Sequence, residues 1–324
     1  MRCRRCVLTD RVPHVTFERG VCSVCRQDPR RTAPAERAEV LGRFRAALDR
    51  RRAAPGGADV LLAYSGGKDS SYALDILSRR LGLRVLAYTF DNGYVPRETW
   101  DNARRLTDRL AGGWIVYRPA ARPLKRVLRA SLDKPLHPAK SLERASPVCL
   151  SCIGIVKYTA LRLAQERGIP YVAFGWTPGQ APVSRAYLEL DARMVQAMQE
   201  PLRTALERAA GTDLSEWFMA APAEGRVPAM VHPAAFYPYD EGSIYRRLSL
   251  LGWRRPQGLD PNSTNCRLNT LNVYEHLKRH GYHPYIHELA SLVRQGHLGR
   301  AEALRRLGPV NAAAARSLGR SLGR

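Results

Sequence analysis

The turn formed by residues 65–70 constrains the fold more than any other part of the chain. It reads Ser-Gly-Gly-Lys-Asp-Ser, follows an apolar run at 60–64 that predicts a buried strand, and precedes a helical segment at 71–80. Two adjacent glycines let the backbone of a strand–turn–helix unit approach an anion closely, and the helix N-terminus adds partial positive charge. The spacing is not that of a Walker A loop. The turn therefore predicts a phosphate-binding loop at the end of a strand.

Further apolar runs alternate with helical segments after this turn. Runs at 85–90, 114–117 and 171–174 predict three more strands, with helices at 97–111 and from Cys152 to about residue 167. Near-continuous apolar strands separated by helices are typical of a parallel sheet covered on both faces. The sequence predicts an α/β fold with a Rossmann-like, doubly wound parallel sheet, and a fifth strand around 227–231.

The Ser-Gly-Gly-x-Asp-Ser turn after a first strand resembles that of the PP-loop ATP pyrophosphatases, an adenine nucleotide alpha-hydrolase-like superfamily. Members of that superfamily split ATP between the α- and β-phosphates and hold the pyrophosphate on this loop. The resemblance implies that the ATP site is formed by Ser65, Gly66, Gly67, Lys68, Asp69, Ser70 and Asp91, with Lys68 and Asp69 taking part in catalysis. Adenylation converts an oxygen into a good leaving group, AMP, and Mg²⁺ is expected to neutralise the phosphates.

Three cysteines in the second half of the chain form a second candidate site. Cys149-x-x-Cys152 lies between the third and fourth predicted strands, and Cys266 stands alone. This arrangement resembles the PP-loop tRNA thiolases, such as 2-thiocytidine and 2-thiouridine synthetases. In that resemblance the three cysteines are catalytic: they bind a [4Fe-4S] cluster whose fourth iron carries the sulfide that attacks the adenylated carbon. A persulfide or redox couple and a purely structural pair are the alternatives.

Four further cysteines near the amino terminus have the spacing of a metal site. The pattern C-x₂-C-x₁₅-C-x₂-C is typical of a closed, structural zinc site, and a second iron–sulfur centre is the alternative. No apolar run follows the first residues, so we expect no secretory signal and no disulfides. The expected Zn²⁺ ligands are Cys3, Cys6, Cys22 and Cys25.

Both ends of the chain also resemble N-acetyl sugar amidotransferases of lipopolysaccharide synthesis. The matching stretches are 5–8, 17–25 and 292–304. Those enzymes use a PP-loop domain and ammonia from a glutaminase partner, so nitrogen becomes an alternative nucleophile to sulfur. The three internal cysteines would then be structural or vestigial.

The predicted organisation has five parts. They are a zinc ribbon or knuckle at 1–30, a linker helix at 31–56, the ATP-binding domain at 57–190, a mainly helical region with Cys266 at 191–307, and a flexible tail at 308–324.

Charge and hydropathy bear on partners and localisation. Lysine and arginine number 52 against 29 acidic residues, which gives a net charge of +23. This charge favours polyanionic partners such as tRNA. The abundance of arginine and alanine can also reflect a GC-rich coding bias. The apolar stretches are of strand length, so we expect a cytoplasmic enzyme without a membrane span. Expected partners are ATP, a sulfur donor or sulfur-carrier protein (or a glutaminase), tRNA as one possible substrate, and a second copy in a homodimer. A zinc-knuckle nucleic-acid-binding protein with a regulatory nucleotide domain is the alternative from another class.

Several polar residues have two interpretations. The loop at 175–180 lacks the acidic residues that tRNA thiolases often carry, and Asp240 with Glu241 could replace them or cap the following helix. His137 is a possible substrate contact. Polar surface contacts are favoured over a metal site for His276, His280, His283 and His287.

Overall fold

The computed structural model describes residues 1–27, 33–51, 56–220 and 227–323. Two short strands form a hairpin near the amino terminus: β1 (Phe17–Glu18) and β2 (Val21–Cys22). The others form one main sheet: β3 (Val60–Ala63), β4 (Val85–Phe90), β5 (Gly113–Tyr117), β6 (Tyr171–Phe174), β7 (Tyr187–Leu188) and β8 (Ala229–Val231).

The α-helices of the described residues are distributed along the whole chain. In chain order they are α1 (Ser23–Gln27), α2 (Pro34–Arg50), α3 (Lys68–Asp75), α4 (Arg97–Leu110), α5 (Ala121–Asp133), α6 (Ala139–Leu142), α7 (Pro147–Glu166), α8 (Ala192–Ala210), α9 (Glu241–Leu250), α10 (Leu268–His280), α11 (Ile286–Arg294), α12 (Arg300–Arg306) and α13 (Ala312–Ser321).

The main sheet has the strand order β5-β4-β3-β6-β8-β7. All neighbours are parallel except β7, which runs antiparallel to β8 at one edge. In the central register, Leu61 pairs with Leu86 on one side and with Val172 on the other. The order reverses between β3 and β6, and α/β sheets place their ligands at the carboxyl ends of strands beside such a reversal. The predicted α/β class is confirmed, and the fifth strand lies within its predicted range.

Alternate residues of each strand pack against helices on opposite faces of the sheet. Leu62 belongs to a core cluster that includes Phe44 of α2 and Leu106 of α4. Leu61 belongs to a second cluster with Val127 of α5 and Leu161 of α7. Both faces are therefore covered, as the apolar strands require.

Helix α7 differs from its prediction, because it starts before the cysteine pair and not after it. Pro147 occupies the first helical turn, where its missing N–H has no intrahelical partner to lose, so Cys149 and Cys152 lie inside the helix. By length and composition α7 is also apolar enough to cross a membrane, which corrects the expectation that apolar stretches are only of strand length. Its Ile155, Ala160 and Leu161 are fully buried in the core.

The carboxyl-terminal tail also differs from its prediction. Residues 312–321 form helix α13, capped by Asn311, whose side chain accepts from the Ala314 N–H. Ala315 and Leu322 are buried, and Gly319 lies next to Leu271 of α10. Small apolar residues allow α13 to pack closely on α10, so these residues form a packed helix where the sequence predicted a flexible tail.

The mainly helical region predicted at 191–307 also contributes to the main sheet and to the packing around the amino-terminal cysteines. Its strand β8 completes the main sheet beside β6. Its helix α11 packs on the amino-terminal cysteines, where Ile286, Leu289 and Ala290 share a buried cluster with Cys6 and Cys22.

Candidate functional site

The phosphate loop lies at the carboxyl end of β3 and leads directly into α3. Gly66 has a φ of +73°, and a Cβ there would lie 2.7 Å from the carbonyl oxygen of Thr99. Gly175, which follows β6, is equally constrained, since a Cβ there would lie 2.6 Å from the Ser70 nitrogen. Only glycine fits these positions, because of the left-handed backbone at one and the close approach of two segments at both.

Two serine hydroxyls close the loop from within. The Oγ atoms of Ser65 and Ser70 are 3.0 Å apart, and the Gly67 N–H donates to Ser65 Oγ over 3.3 Å. Ser70 also donates to the Gly67 carbonyl over 3.2 Å. These bonds fix the loop conformation before any ligand binds.

Lys68 lies buried at the centre of a charged network. Its Nζ donates to Asp69 Oδ1 at 2.7 Å and to Glu241 Oε1 at 2.8 Å, and it also contacts the Tyr239 hydroxyl. Glu241 in turn accepts from Arg306 of α12, which is itself paired with Glu302. The loop lysine thus contacts residues from two separate parts of the chain, and a third part, α12, holds one of those residues in place.

The network sets the charge states of its members. Burial lowers the pKa of Lys68, but the charges of Asp69 and Glu241 outweigh it and raise this pKa above its usual range. Burial also opposes ionisation of Glu241, yet the hydrogen bond from Arg306 and the charge of Lys68 lower its pKa to about 2. Lys68 and Glu241 are therefore both charged near neutral pH.

The two interpretations of the Asp240–Glu241 pair apply to different residues. Asp240 is the N-cap of α9, where its Oδ2 accepts from the Ser243 N–H at 2.7 Å. Glu241 contacts the phosphate-loop lysine instead. The cap interpretation is correct for Asp240, and only Glu241 reaches the candidate site.

A carboxylate that the sequence did not single out also borders this network. Glu288 of α11 accepts from the Thr177 hydroxyl at 2.8 Å, and its charge interacts with those of Asp69 and Lys68. Burial raises the pKa of Glu288 to about 7, with a further contribution from Asp69. A carboxylate from a distant helix thus contacts the loop after β6, which has no acidic residue of its own.

The segment around Thr264 covers the phosphate loop. The backbone N–H of Lys68 donates to Thr264 Oγ1 at 2.9 Å, and a Cβ on Gly67 would lie 2.9 Å from the same oxygen. The Thr264 carbonyl also accepts from Thr99 Oγ1 at 3.3 Å. A threonine oxygen therefore lies on a loop amide of the kind that binds a phosphate oxygen.

The same segment continues into the three internal cysteines. The Asn92 amide nitrogen is 3.4 Å from Cys266 Sγ and 3.8 Å from Cys152 Sγ. The Asn272 amide donates to Cys149 Sγ at 3.1 Å. Asparagine amides thus contact all three sulfurs from β4's carboxyl end and from α10.

Burial dominates the chemistry of these thiols. It raises the pKa of Cys149 to about 12, and it also raises the pKa values of Cys152 and Cys266. Cys266 raises the pKa of both other cysteines further, so the three groups interact. Such thiols stay neutral near pH 7 unless a bound cation compensates the thiolate charge.

Asp91 lies beside this cysteine group, but its carboxylate already has partners. It accepts from Arg118 Nε at 2.7 Å and from the Gly93 N–H at 2.9 Å. These contacts order the turn that presents Asn92 to the sulfurs. Contact between Asp91 and a nucleotide stays a prediction.

The four amino-terminal cysteines converge as their spacing predicts. Their sulfur atoms all lie within 4.8 Å of one another and are buried. The backbone N–H groups of Cys6 and Cys22 donate to Cys3 Sγ. Burial alone would raise the pKa of Cys3, but these hydrogen bonds outweigh it and lower the pKa to about 6. The group can bind one metal ion, and four thiolates with amide donors suit Zn²⁺.

The histidines considered as ligands or substrate contacts do not join the amino-terminal cysteine group. Among the described residues, the amino-terminal cysteines form the only group of three or more His, Cys, Asp or Glu ligand atoms that converge this closely. The rings of His276 and His280 touch, with centroids 4.4 Å apart, and burial lowers the pKa of His276 to about 3. His137 Nε2 lies 2.8 Å from the buried Ser151 hydroxyl, and its contact with substrate stays a prediction.

Comparison with known proteins identifies no family. No family model matches the chain. An uncharacterized protein of Methanocaldococcus jannaschii is 22% identical over 247 residues, covering 76% of this chain and 71% of that protein.

Two solved structures show weak similarity. One is described as a predicted subunit of tRNA methyltransferase from Methanocaldococcus jannaschii, with a TM-score of 0.32, 18% identity, and coverage of 71% of this chain and 91% of that one. The other is an NAD⁺ synthetase from Burkholderia pseudomallei, with a TM-score of 0.32, 17% identity, and coverage of 92% and 91%. TM-scores this low carry no argument about function, which is therefore argued from the chain's own residues.

Proposed function

We propose that the chain is an adenylating enzyme that activates an acceptor oxygen with ATP and replaces it with sulfur. The acceptor oxygen would attack the α-phosphorus of ATP, pyrophosphate would leave on the phosphate loop, and a sulfur nucleophile would then displace AMP. The reacting carbon exchanges a C–O bond for a C–S bond. The acceptor oxygen leaves the carbon as part of the phosphate of AMP.

One observation carries this proposal: a single short segment contacts both halves of the site. Thr264 accepts from the amide of the phosphate-loop lysine, and Cys266, two residues later, shares Asn92 with Cys152. A nucleotide on the loop would therefore have its α-phosphate near the three sulfurs. Such proximity is what a two-step displacement requires.

The residues of the loop would bind and orient the nucleotide. The Lys68 ammonium would hold the departing pyrophosphate, together with the amides of Gly67 and Lys68 once phosphate oxygens replace Ser65 and Thr264 as their acceptors. Asp69 and Glu288 are the proposed carboxylates for Mg²⁺. Tyr239 and Glu241 hold the ammonium in place. The acceptor and the nucleotide would meet at the carboxyl ends of β3, β4 and β6.

The residues of the cysteine group would hold the sulfur chemistry. Three half-buried thiols with amide donors, and no fourth cysteine left in the chain, fit a [4Fe-4S] cluster with one open iron better than a single ion. When bound, the cluster would supply the sulfur nucleophile. Asn92 and Asn272 would donate to the ligand sulfurs, which stabilises thiolates that burial alone disfavours.

Metal analysis of anaerobically purified protein tests this proposal. We expect about four irons with equal sulfide, and one zinc, per chain. Cys266→Ser should lose the iron and keep the zinc, whereas Lys68→Ala should keep both metals and lose ATP binding. Zinc without iron in the wild-type protein, or iron that survives Cys266→Ser, would contradict the sulfur-transfer step.

An amidotransferase is the second candidate, and the packing of the two termini favours keeping it. The amino-terminal stretches and the stretch 292–304, which carry the amidotransferase resemblance, meet in one buried cluster that contains Val7, Cys22 and Ala303. Under this function, adenylation would be unchanged and ammonia would displace AMP. Product formation that requires ammonia or glutamine, in protein with zinc but no iron, would support it over sulfur transfer.

A further inference from the structure

An arginine-lined cavity lies beside the phosphate loop, between α4 and the chain that follows α9. Its volume is about 780 Å³. The main lining side chains are Arg105, Arg109, Tyr245, Trp253, Arg254 and Arg255. The proposed adenylation chemistry uses none of these residues.

The four guanidinium groups have no acidic counterpart. No aspartate or glutamate lines the cavity, and within the described ranges none of the four arginines forms an ion pair with a carboxylate. Four like charges around one space repel each other, and this repulsion is offset only by screening or by a bound anion. The cavity is therefore electrostatically suited to an anion of high charge.

Two of the four guanidinium groups, those of Arg105 and Arg109, are held in place before any ligand arrives. Arg105 Nη1 donates to the Gly252 carbonyl at 2.6 Å, and Arg109 Nη1 donates to the Leu251 carbonyl at 3.0 Å. The backbone of Arg254 exchanges two hydrogen bonds with the Asn102 side chain at 2.6 and 2.8 Å, which places its exposed side chain at the cavity without fixing the guanidinium. Bonds to neutral carbonyls position a guanidinium while leaving its charge uncompensated.

The cavity adjoins the phosphate loop through two aromatic rings. Trp253 Nε1 donates to the Gly66 carbonyl at 2.9 Å. The Tyr245 ring lies between two cations, with its centroid 5.9 Å from Lys68 Nζ and 5.5 Å from Arg255 Cζ. One ring thus separates the loop lysine from the cavity.

We propose that this cavity is a second phosphate-binding site, separate from the loop. Arginine is the side chain best suited to phosphate, because its planar fork makes two parallel hydrogen bonds to phosphate oxygens. The phosphates can come from two sources: free pyrophosphate leaving the neighbouring loop, or the backbone of a nucleic-acid acceptor that extends into the open cavity. The site stands on its own residues and does not depend on which nucleophile displaces AMP.

Binding measurements on the full chain test the proposal in two arms. The key variant is Arg254→Gln with Arg255→Gln, whose side chains hold no carbonyl in place. The matched control is Arg43→Gln with Arg45→Gln, which removes the same charge from exposed positions of α2. Both pairs are made in the wild-type chain and in a Lys68→Ala background, so that phosphate on the loop is distinguished from phosphate in the cavity.

In the first arm, calorimetry with inorganic pyrophosphate should show residual binding in the Lys68→Ala protein that the cavity variant weakens at least tenfold and the control does not. In the second arm, anisotropy with a single-stranded RNA should show a salt dependence whose slope falls by about 1.4 in the cavity variant, since each lost contact to a single strand contributes about 0.7.

A change in the first arm identifies pyrophosphate as the source, and a change in the second identifies nucleic acid. If the cavity variant and the control behave alike in both arms, there is no phosphate site in the cavity. A change in Lys68→Ala alone concerns the loop and leaves this inference unaffected.

Discussion

At the scale of single residues, neighbouring side chains divide structural and chemical roles. Asp240 caps α9, while the next residue, Glu241, reaches the phosphate-loop lysine. Sequence alone shows an acidic pair before a helix and cannot separate these roles, because the partner Lys68 is remote along the chain.

This division of roles predicts that one of two adjacent substitutions lowers stability and the other lowers activity. Asp240→Ala should lower the free energy of unfolding by about 1 kcal/mol, the usual value of an N-cap, and leave pyrophosphate release unchanged. Glu241→Gln should reduce pyrophosphate release by about 100-fold, because Lys68 and Arg306 lose the carboxylate that positions them. Denaturant unfolding and a pyrophosphate assay measure the two effects, and a larger activity loss in Asp240→Ala would refute this assignment.

Glu288 makes a separate prediction about pH. Its pKa is raised from 4.5 to about 7, so the folded state binds this proton more tightly than the unfolded state does. As the pH rises from about 4.5 to 7, ionisation of Glu288 therefore lowers the free energy of unfolding. Glu288→Gln removes this effect. Compared with wild type, the variant should therefore gain about 2 kcal/mol more stability at pH 8 than at pH 5.

Urea unfolding of both proteins at the two pH values measures this difference. Thr270→Val, a change on α10, serves as a control that should show no such pH dependence. An equal effect of Glu288→Gln at both pH values would mean that the pKa of Glu288 is not raised.

At the scale of elements, the local pattern predicts the sheet and the phosphate loop, while contacts between distant segments escape it. The strands at 60–64 and 171–174 are short apolar runs between turn-forming segments, a signal that can be recognised without knowing the partner strand. The start of α7 was predicted too late, although Pro147 is a helix-start signal. Thr264, Asn92 and Glu288 were missed because a polar residue acquires its role only from what the fold brings beside it.

Helix α13 supplies the prediction at this scale, since its alanine-rich sequence suggested a loose tail. Ala315 is fully buried against the rest of the protein, whereas Ala313 is exposed. Ala315→Asp should therefore lower the free energy of unfolding by about 2–3 kcal/mol through an unpaired buried charge, and Ala313→Asp by less than about 0.5 kcal/mol. Equal, small effects in thermal unfolding would mean that α13 is not packed as described.

At the scale of the whole molecule, α11 connects the amino-terminal cysteines with the phosphate loop. One face packs on the amino-terminal cysteines through Ile286 and Leu289, and Glu288 on the same helix contacts Thr177 beside the phosphate loop. Arg300 adds hydrogen bonds from its guanidinium to the carbonyls of Cys3 and Cys6. The amino-terminal cysteine group thus supports α11, the helix that brings Glu288 beside the phosphate loop.

This connection predicts the effect of removing the proposed zinc site. Cys22→Ser should lose zinc, lower the melting temperature, and reduce pyrophosphate release, because α11 loses the surface that positions Glu288. Iron should remain, which distinguishes the variant from Cys266→Ser. Loss of zinc with full activity would show that the knuckle and the site are independent.

The fate of the α-phosphate of ATP tests the central claim most directly. Anaerobic protein is given α-labelled ATP with total tRNA or with nucleotide-linked N-acetyl sugars, in the presence of sulfide or ammonia. The account predicts label in AMP with an equal amount of pyrophosphate, stimulated by an acceptor and lost in Lys68→Ala. Label in ADP, or AMP formation that Lys68→Ala leaves intact, would contradict it.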